Sequence, residues 1–368
     1  MVIESVILRE IRMPLVDFFQ TSFGRTINRR IILVEVRSDH ISGWGECVAG
    51  EGPFFSPETV ETAWSILSQF IVPKVLQQTL ESAQDLPGRL QKIRGHNMAK
   101  ASMESALWDL QARQIGLPLW KLLGGTRKKI ACGVSIGIQQ DVETLLMKIK
   151  RELSNGYQRI KIKIQPGWDV DVVRSVRELY PAIPLMVDAN AAYDLSCTEH
   201  LKKLDQYNLL MIEQPIMHDD LVDHAHLQIQ LETPVCLDES IRHSRDARHA
   251  CELKACQVIN VKMGRVGGMT EAKQVHDVCQ KFNIPVWCGG MLETGIGRAH
   301  NIALSSLENF RFPGDVSASN RYYERDTVQP PIKVSRKGYI KLPNSPGLGY
   351  EPDLDWISEL TVRSKQFS

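Results

Sequence analysis

Residues 184–215 read PLMVDANAAYDLSCTEHLKKLDQYNLLMIEQP. Two short apolar runs, Pro184 to Asp188 and Leu209 to Glu213, each end on an acidic residue, and the chain between them is an amphipathic stretch after a polar turn. A strand, a turn, a helix and a second strand form the repeating unit of a parallel sheet covered by helices. This stretch therefore predicts an α/β fold.

The same unit recurs through residues 126–325. The candidate strands are Ile130 to Ile138, Arg159 to Ile164, Pro184 to Asp188, Leu209 to Glu213, Pro234 to Asp238, Val258 to Lys262, Pro285 to Cys288 and Phe310 to Asp315. Eight strands at this regular spacing predict a modified TIM barrel, (β/α)7β. A doubly wound open sheet is the alternative, but the topological switch point and glycine-rich first turn typical of that fold are not apparent.

The residues on either side of the barrel predict two further units. Residues 1–125 combine strand-like runs, such as Arg30 to Val36, with a helical pattern from His96 to Ile115 that Gly116 ends, which indicates an α+β capping domain. Residues 326–368 are expected to pack back on that domain. Charged residues interrupt the apolar N-terminus, which predicts a strand rather than a signal peptide.

Composition narrows the classes of function. Lys and Arg number 44 against 43 acidic residues, so a net charge of +1 provides no basic field for nucleic acid or anionic membrane. The eight cysteines are scattered without a C-x-x-C pair, which predicts buried reduced thiols. We expect a cytoplasmic protein whose partner is a small molecule, with no nucleic-acid or membrane partner, and we expect it to form a homo-oligomer.

Five successive candidate strands carry a charged residue at or next to their carboxyl ends. These residues are Lys163, Asp188, Glu213, Asp238 and Lys262, at separations of 25, 25, 25 and 24 residues. Because the carboxyl ends of barrel strands share one face, the three carboxylates are expected to converge. Carboxylates that converge without a partner repel one another, so a bound cation is predicted, with Mg²⁺ favoured and Mn²⁺ or another divalent metal as alternatives. The competing interpretation of any single acid is a helix N-cap.

The lysines are predicted to face each other across the barrel. The alternation of Arg159 to Ile164 places Lys161 and Lys163 on one face, which points inward in a barrel and outward in a solvated edge strand. Lys262 ends the sixth strand, nearly opposite the second. A metal cation and a second ammonium would lower the pKa of a lysine until it can act as a general base. Arg265 is a supporting candidate, although an exposed loop arginine is the more common case.

This set of side chains suits the removal of a proton beside a carboxylate. The product is an enediolate whose negative charge must be neutralised as it forms, and a metal bound to the substrate carboxylate does this directly. Sites in the enolase superfamily combine a lysine or histidine base with Mg²⁺ for this chemistry.

The chain resembles the enolase superfamily over nearly its whole length, and within it the muconate-lactonizing subgroup. The motifs are KIKIQPGWD at 161–169, MVDANAAY at 186–193, MIEQP at 211–215, TPVCLDESI at 233–241, INVKMGRVGG at 259–268, VWCGGMLETGIGRAHN at 286–301 and FPGDVSASNRYY at 312–323. They are similar to those of the o-succinylbenzoate synthase and N-succinylamino acid racemase family. Cys288 and Gly289 stand where mandelate-racemase relatives carry a base histidine, which argues against acid-sugar substrates.

The resemblance implies a role for each strand-end residue. Asp188, Glu213 and Asp238 would be the metal ligands. Lys163 would be the base and acid of a syn dehydration, and Lys262 would stabilise the enediolate as a cation. In a racemase the two lysines would instead exchange protons on opposite faces, with Lys161 and Arg265 in support.

The family also implies specificity loops in the capping domain, here Phe19 to Phe23 and Gly50 to Phe55. Their aromatic residues are expected to form an apolar lid over the substrate, although packing between the domains is the alternative. The candidate substrate contacts are Phe19, Phe23, Ser135, Gly290 and Met291.

The implied reaction is the Mg²⁺-dependent dehydration of 2-succinyl-6-hydroxy-2,4-cyclohexadiene-1-carboxylate to o-succinylbenzoate in menaquinone synthesis, with racemisation of N-succinylamino acids in the same site. The alternative is a dedicated N-acylamino acid racemase with no menaquinone role. Two other classes are a non-enzymatic metal-binding scaffold and a nucleotide-binding dehydrogenase. The glycines at 264–268 and 289–297 suggest the latter only weakly, because neither stretch is a G-x-G-x-x-G at a first strand–helix turn.

Overall fold

The computed structural model describes residues 1–368. Its N-terminal part places helices against an antiparallel sheet. The strands are β1 (Ser5–Thr21), β2 (Gly24–Ser38) and β3 (Ile41–Cys47), and the helices are α1 (Val60–Ile66), α2 (Leu86–Leu90), α3 (Asn97–Gln114) and α4 (Leu119–Leu122). The helix predicted for His96 to Ile115 is confirmed, and it ends before Gly116, whose φ of +71° lies in the left-handed region that favours glycine.

Two glycines of β3 allow α3 to lie directly on the sheet. A Cβ atom at Gly43 would stand 2.2 Å from the carbonyl oxygen of Ala106, and one at Gly45 would stand 2.0 Å from that of Ser102. Any side chain at either position would push the helix away from the sheet. The backbone N–H of Trp44 then donates to the Asp109 carboxylate at 2.9 Å, which fixes the helix along the strand.

The second unit is a sheet of seven parallel strands with helices outside it. The strands from residue 129 onward are β4 (Lys129–Ala131), β5 (Gly133–Ile136), β6 (Arg159–Lys163), β7 (Leu185–Asp188), β8 (Ile212–Glu213), β9 (Val235–Leu237), β10 (Val258–Val261) and β11 (Val286–Cys288). The helices are α5 (Val142–Ser154), α6 (Val170–Leu179), α7 (Thr198–Leu201), α8 (Leu221–Gln230), α9 (Ser244–Leu253), α10 (Met263–Val266), α11 (Met269–Lys281) and α12 (Gly295–Leu304). Strands β5 to β11 are neighbours in chain order.

The eighth predicted strand, Phe310 to Asp315, is wrong as a regular strand. Its backbone nevertheless bridges the two edges of the sheet: the N–H of Asp315 donates to Cys288 on β11 at 2.8 Å, and the carbonyl of Gly314 accepts from Gly133 on β5 at 2.7 Å. Pro313 has no N–H to donate, which interrupts a regular ladder here. The α/β class, with a modified TIM barrel and an N-terminal capping domain, is confirmed.

Two other predicted strands differ from the structure. The run from Ile130 to Ile138 divides at Cys132, because β4 pairs with a C-terminal strand while β5 joins the barrel. The run from Leu209 to Glu213 contributes only the two residues of β8.

The two faces of the barrel sheet have different packing. Ile160 and Ile162 of β6 belong to the main hydrophobic core, which lies beneath the outer helices. Inside the barrel a smaller core consists of Met186, Met211, Cys236, Val258 and Trp287. This inner core fills the barrel, so that charged side chains at the carboxyl ends of the strands rest on an apolar floor.

The C-terminal elements are β12 (Val328–Gln329), β13 (Tyr339–Lys341), β14 (Glu351–Pro352), α13 (Leu354–Leu360) and β15 (Thr361–Phe367). Strand β13 pairs with β4, and β15 pairs antiparallel with β1 to complete the first sheet in the order β15-β1-β2-β3. The domain limits at residues 125 and 325 stay predictions. All eight cysteines are free thiols, and only Cys197 is not buried. None of the helices has the length and apolar character that crossing a membrane requires.

Candidate active site

Strand β6 carries two lysines that point into the barrel. The Nζ atom of Lys161 lies 2.8 Å from Glu213 Oε2 and 3.1 Å from Asp188 Oδ2. The Nζ atom of Lys163 donates to Asp188 Oδ2 at 2.5 Å and to Asn190 Oδ1 at 2.7 Å. Both side chains are therefore buried among carboxylates, as the alternation of the strand predicts, and neither belongs to a solvated edge.

Lys262 and Arg265 hold Asp238 from the other side of the barrel. Lys262 donates to Asp238 Oδ2 at 2.7 Å, and Arg265 donates to the second carboxylate oxygen of the same residue. Arg265 also donates to the carbonyls of Ile241 and Asn260, each at 2.6 Å. It is thus a buried member of the ion-pair network, not the exposed loop arginine that is the common case.

The sheet order places Lys163 and Lys262 on opposite sides of one cavity. Strand β6 is second and β10 is sixth among seven strands and a closing segment, so four positions of the ring separate them in either direction. Both lysines line the same cavity of about 500 Å³. A substrate in that cavity can be contacted by an amine or ammonium group on each of its two faces.

Asp188, Glu213 and Asp238 are completely buried. Asp188 and Glu213 lie side by side in the register of β7 and β8, and Asn260 donates to Glu213 Oε1 at 2.6 Å. Burial and the negative charge of Asp188 raise the pKa of Glu213 to about 8. Burial would also raise the pKa of Asp188, but Lys163 and Lys161 outweigh it and hold that pKa well below its usual range.

These three side chains fit a divalent cation by their chemistry. They supply only carboxylate oxygens, which hard cations such as Mg²⁺ prefer, and their mutual repulsion, expressed in the raised pKa of Glu213, is what a cation relieves. As the side chains stand, no three carboxylate, imidazole or thiol groups are arranged to hold a metal ion, and each of the three carboxylates contacts a lysine ammonium. The ligand assignment therefore stays a prediction.

The pKa values of the lysines reflect this pairing. Burial alone would lower the pKa of Lys262, but Asp238 and Glu239 raise it above the usual range. The pKa of Lys161 lies well above its ordinary value because Asp315 and Glu213 outweigh its burial. A near-neutral lysine pKa is expected for the site with a bound metal cation, and that expectation stays a prediction.

The capping domain forms the outer wall of the cavity. Phe19 and Phe23 line it, as do Gly290 and Met291 from the loop after β11. Ser135 does not line it, although its buried hydroxyl oxygen has no hydrogen-bond partner. The structure therefore brings four of the five candidate contacts to the cavity.

Several site residues were missed at the sequence level. Asp315 pairs with Lys161 at 2.9 Å and with Arg159 at 2.7 Å, and its signal was available, because it ends the eighth predicted strand as the other acids end theirs. Asn190 joins Lys163 to Glu239, to which it donates at 2.9 Å. No sequence pattern marks that bridge.

Two aromatic contacts were missed as well. The ring of Phe55 lies 4.4 Å from the Nζ atom of Lys262, and the ring of Trp287 lies 4.7 Å from that of Lys161. Ring faces stabilise nearby cations. Because each pair joins residues from distant parts of the chain, spacing along the sequence gives no indication of either.

Known proteins share both units of the chain. Residues 3–124 match the mandelate racemase / muconate lactonizing enzyme N-terminal domain, and residues 145–356 match the enolase C-terminal domain-like family. The chain belongs to the mandelate racemase and muconate lactonizing enzyme family of the enolase superfamily. Members of this superfamily use Mg²⁺ with a lysine or histidine base.

Individual relatives show the similarity in more detail. The chain is 53% identical to an o-succinylbenzoate synthase of Geobacillus kaustophilus, over 99% of this chain and 97% of that protein. It is 44% identical to an N-succinylamino acid racemase of an Amycolatopsis species, over 98% of each. A crystal structure of an enolase-superfamily member from Listeria innocua superposes with a TM-score of 0.96, at 40% identity and coverage of 100% of this chain and 99% of that one.

Proposed function

We propose that this chain is an o-succinylbenzoate synthase, a carbon–oxygen lyase that dehydrates 2-succinyl-6-hydroxy-2,4-cyclohexadiene-1-carboxylate, and that the same site racemises N-succinylamino acids. The observation that carries the proposal is the pair of buried lysines, Lys163 and Lys262, on opposite sides of one cavity. Relatives of both names, at 43% to 53% identity over nearly the whole chain, support both reactions.

In the dehydration one lysine serves twice. Lys163, as the free amine, removes the proton beside the ring carboxylate, and the electron pair of the broken C–H bond remains as an enediolate. The ammonium of Lys262 on the other face stabilises that negative charge. Lys163 then donates the proton to the departing hydroxyl, water leaves, and the ring becomes aromatic. Removal and donation occur on one face, which makes the elimination syn.

The three carboxylates at the strand ends support this chemistry. Asp188, Glu213 and Asp238 would hold Mg²⁺, whose contribution when bound is to neutralise charge on the substrate carboxylate. Lys161 contacts Glu213 and Asp315, and Arg265 contacts Asp238, so both keep the carboxylates in position. Other divalent metals, Mn²⁺ among them, have the same preference for oxygen ligands.

Racemisation requires both lysines to exchange protons. One removes the α-proton from its face, and the ammonium of the other delivers a proton to the opposite face. A dedicated N-acylamino acid racemase without a menaquinone role is the second candidate, because relatives at 44% and 43% identity carry the racemase name. An enzyme that turns over N-succinylamino acids but not the cyclohexadiene would support that candidate.

Exchange of the α-proton in D₂O tests the assignment of the two bases. With Mg²⁺ and each enantiomer of an N-succinylamino acid, the wild-type enzyme should exchange and racemise both. Lys163→Ala should exchange only one enantiomer and Lys262→Ala only the other, and neither should racemise, as NMR and chiral chromatography would show. Lys163→Ala should also lose the dehydratase activity, about 10³-fold or more.

The variant Lys273→Ala is the control for loss of a lysine, because Lys273 is half-exposed, pairs with Asp277 of the same helix and lies outside the cavity. Racemisation by Lys262→Ala would refute the two-base mechanism. If the wild-type protein neither exchanges α-protons nor dehydrates the cyclohexadiene, a metal-binding scaffold would remain.

The remaining expectations concern the molecule outside the site. We propose that the enzyme is cytoplasmic and homo-oligomeric and that it acts on small carboxylates, without nucleic-acid or membrane partners. The balanced charge supports the absence of polyanionic partners. Light scattering of the purified protein measures the number of subunits, and a monomer would contradict the oligomeric part.

A further inference from the structure

Four arginines of this chain are buried, and one of them differs from the other three. Arg159 pairs with Asp315, Arg265 with Asp238 and Arg298 with Asp326. Arg29 is only 6% exposed, yet no Asp or Glu oxygen lies within 4.0 Å of its guanidinium nitrogens. A buried cation without a counter-ion is costly, so its environment requires an explanation.

The guanidinium of Arg29 has unused donors. Its Nη2 atom donates to the carbonyl of Val48 at 3.1 Å, and its Nε atom is buried without any partner. A guanidinium has five N–H donors in a planar fork, which matches a carboxylate in a two-point contact. The Val48 contact holds the group while leaving most of its donors free.

Arg29 belongs to the cavity that contains the two lysines. It lines that cavity together with Lys163 and Lys262. Its anchor, Val48, packs against the turn that follows Lys262: a Cβ atom at Gly264 would lie 2.4 Å from Val48 Cγ2. Arg29 is therefore a capping-domain residue of the same cavity as the two lysines, and its guanidinium has no carboxylate partner.

The other charged groups of the cavity wall are already engaged or lie in solvent. Arg25 is exposed, donates to Gln20 and lies over the ring of Phe18. Glu58 accepts from the backbone N–H groups of Met98 and Ala99 at the start of α3, and Glu51 is exposed. Among the arginines of the wall, Arg29 is thus the buried one with free donors.

We propose that Arg29 binds the distal carboxylate of the substrate, that is, the carboxylate which ends the succinyl group, while the carbon that loses its proton lies between Lys163 and Lys262. The inference rests on the proposed function and makes it more specific. Arg29 selects acyl groups that end in a negative charge, and the substrate provides the counter-ion that the protein does not.

A pair of isosteric substrates tests the proposal. N-succinyl and N-succinamoyl amino acids differ only in a terminal carboxylate against a terminal amide. Arg29→Gln should lower kcat/KM for racemisation of the N-succinyl compound about 10- to 100-fold, mainly through KM, and change the N-succinamoyl value less than about threefold. Arg29→Lys should recover part of the loss, because it keeps the charge but not the fork.

Arg37→Gln is the matched control, because Arg37 is a half-exposed arginine of the same strand that pairs with Glu35 and lies outside the cavity. It should leave both substrates unaffected. Circular dichroism of each variant verifies folding.

A calorimetric titration with o-succinylbenzoate provides a readout that does not depend on turnover, and Arg29→Gln should weaken its binding by a similar factor. Equal losses on both substrates with unchanged affinity for o-succinylbenzoate would overturn the proposal, as would a selective loss in Arg25→Gln instead. A wild-type enzyme that turns over neither substrate refutes the proposed function and leaves the affinity difference to decide the role of Arg29.

Discussion

The barrel end and the capping end of the cavity differ in how their buried charges are paired. At the barrel end, Lys161, Lys163 and Lys262 contact carboxylates at 2.5 to 3.1 Å, and every member of the network is buried. At the capping end the wall includes aromatic rings, glycines and the buried Arg29, which lacks a carboxylate partner. Groups that move protons must be fixed in position, whereas groups that recognise an acyl chain must keep unused contacts for it.

The difference has a physical origin in the elements that carry each end. Barrel residues project from strands whose hydrogen bonds fix their register, so that neighbouring carboxylates and lysines meet predictably. Capping residues project from the end of β1, the start of β2 and the loop before α1, where Phe54 is 72% exposed. Relatives with different substrates are thus expected to share the barrel end and to differ at the capping end.

The largest expected effect comes from breaking the network at Asp315. In Asp315→Asn, Lys161 and Arg159 lose a buried counter-ion, and removing one partner of a buried pair costs about 3 kcal/mol or more. We expect a loss of this size in the free energy of unfolding in urea and a fall in kcat of about 100-fold, because the misplaced Lys161 contacts Glu213 and Asp188.

Asp109→Asn separates the two effects. Asp109 is a buried partner of Arg113 in the capping domain, so this variant should lose stability while the folded enzyme keeps its kcat. If Asp315→Asn also kept its kcat, catalysis would not require a fully paired Lys161, and the proposed contrast between the barrel end and the capping end would be wrong.

A smaller effect is expected where the two regions join. Glu104 of α3 accepts from the backbone N–H of Thr270 at the start of α11, and burial raises its pKa to about 7. The folded state therefore binds the proton more tightly than the unfolded state, whose pKa is about 4.5. The stability that the group provides is complete below about pH 4.5 and is lost as the pH rises through about 7.

Glu104→Gln removes this pH dependence, because an amide does not titrate. We expect it to increase the free energy of unfolding at pH 8 by about 2 kcal/mol and to have little effect at pH 5. Denaturation at both pH values measures this difference, with the surface variant Glu199→Gln as the control. An equal change at both pH values would show that the carboxyl group acts through packing alone.

The smallest effect is expected at Phe55, a residue of the capping end that contacts Lys262. Its ring lies 4.4 Å from the Nζ atom of Lys262, and such contacts are worth about 0.5 to 2 kcal/mol. Phe55→Leu should therefore lower kcat/KM about 3- to 10-fold. Phe54→Leu is expected to change it less, because Phe54 is mostly exposed. A larger fall in kcat/KM in Phe54→Leu than in Phe55→Leu would show that Phe54 covers the substrate and that Lys262 does not depend on the capping domain.

The order of strands, the inward direction of Lys161 and Lys163, and the convergence of the three acids were accessible from the sequence. They follow from local rules, namely the two-residue period of a strand and the shared face at the carboxyl ends of a barrel. The failure at Phe310 to Asp315 has a local cause as well, because Pro313 cannot join a ladder.

Only the tertiary structure decided the contacts between residues that lie far apart in the chain. The pairing of Asp315 with Arg159 and Lys161, the bridge from Asn190 to Glu239 and the ring of Phe55 over Lys262 each depend on how strands and loops close in space. Arg29 is the sharpest case, since its sequence neighbours give no sign that it is buried without a carboxylate. The sequence determined which side chains meet at the carboxyl ends of the strands, because spacing along a barrel fixes their position, and the packing of the cap on the barrel decided which other side chains line the cavity with them.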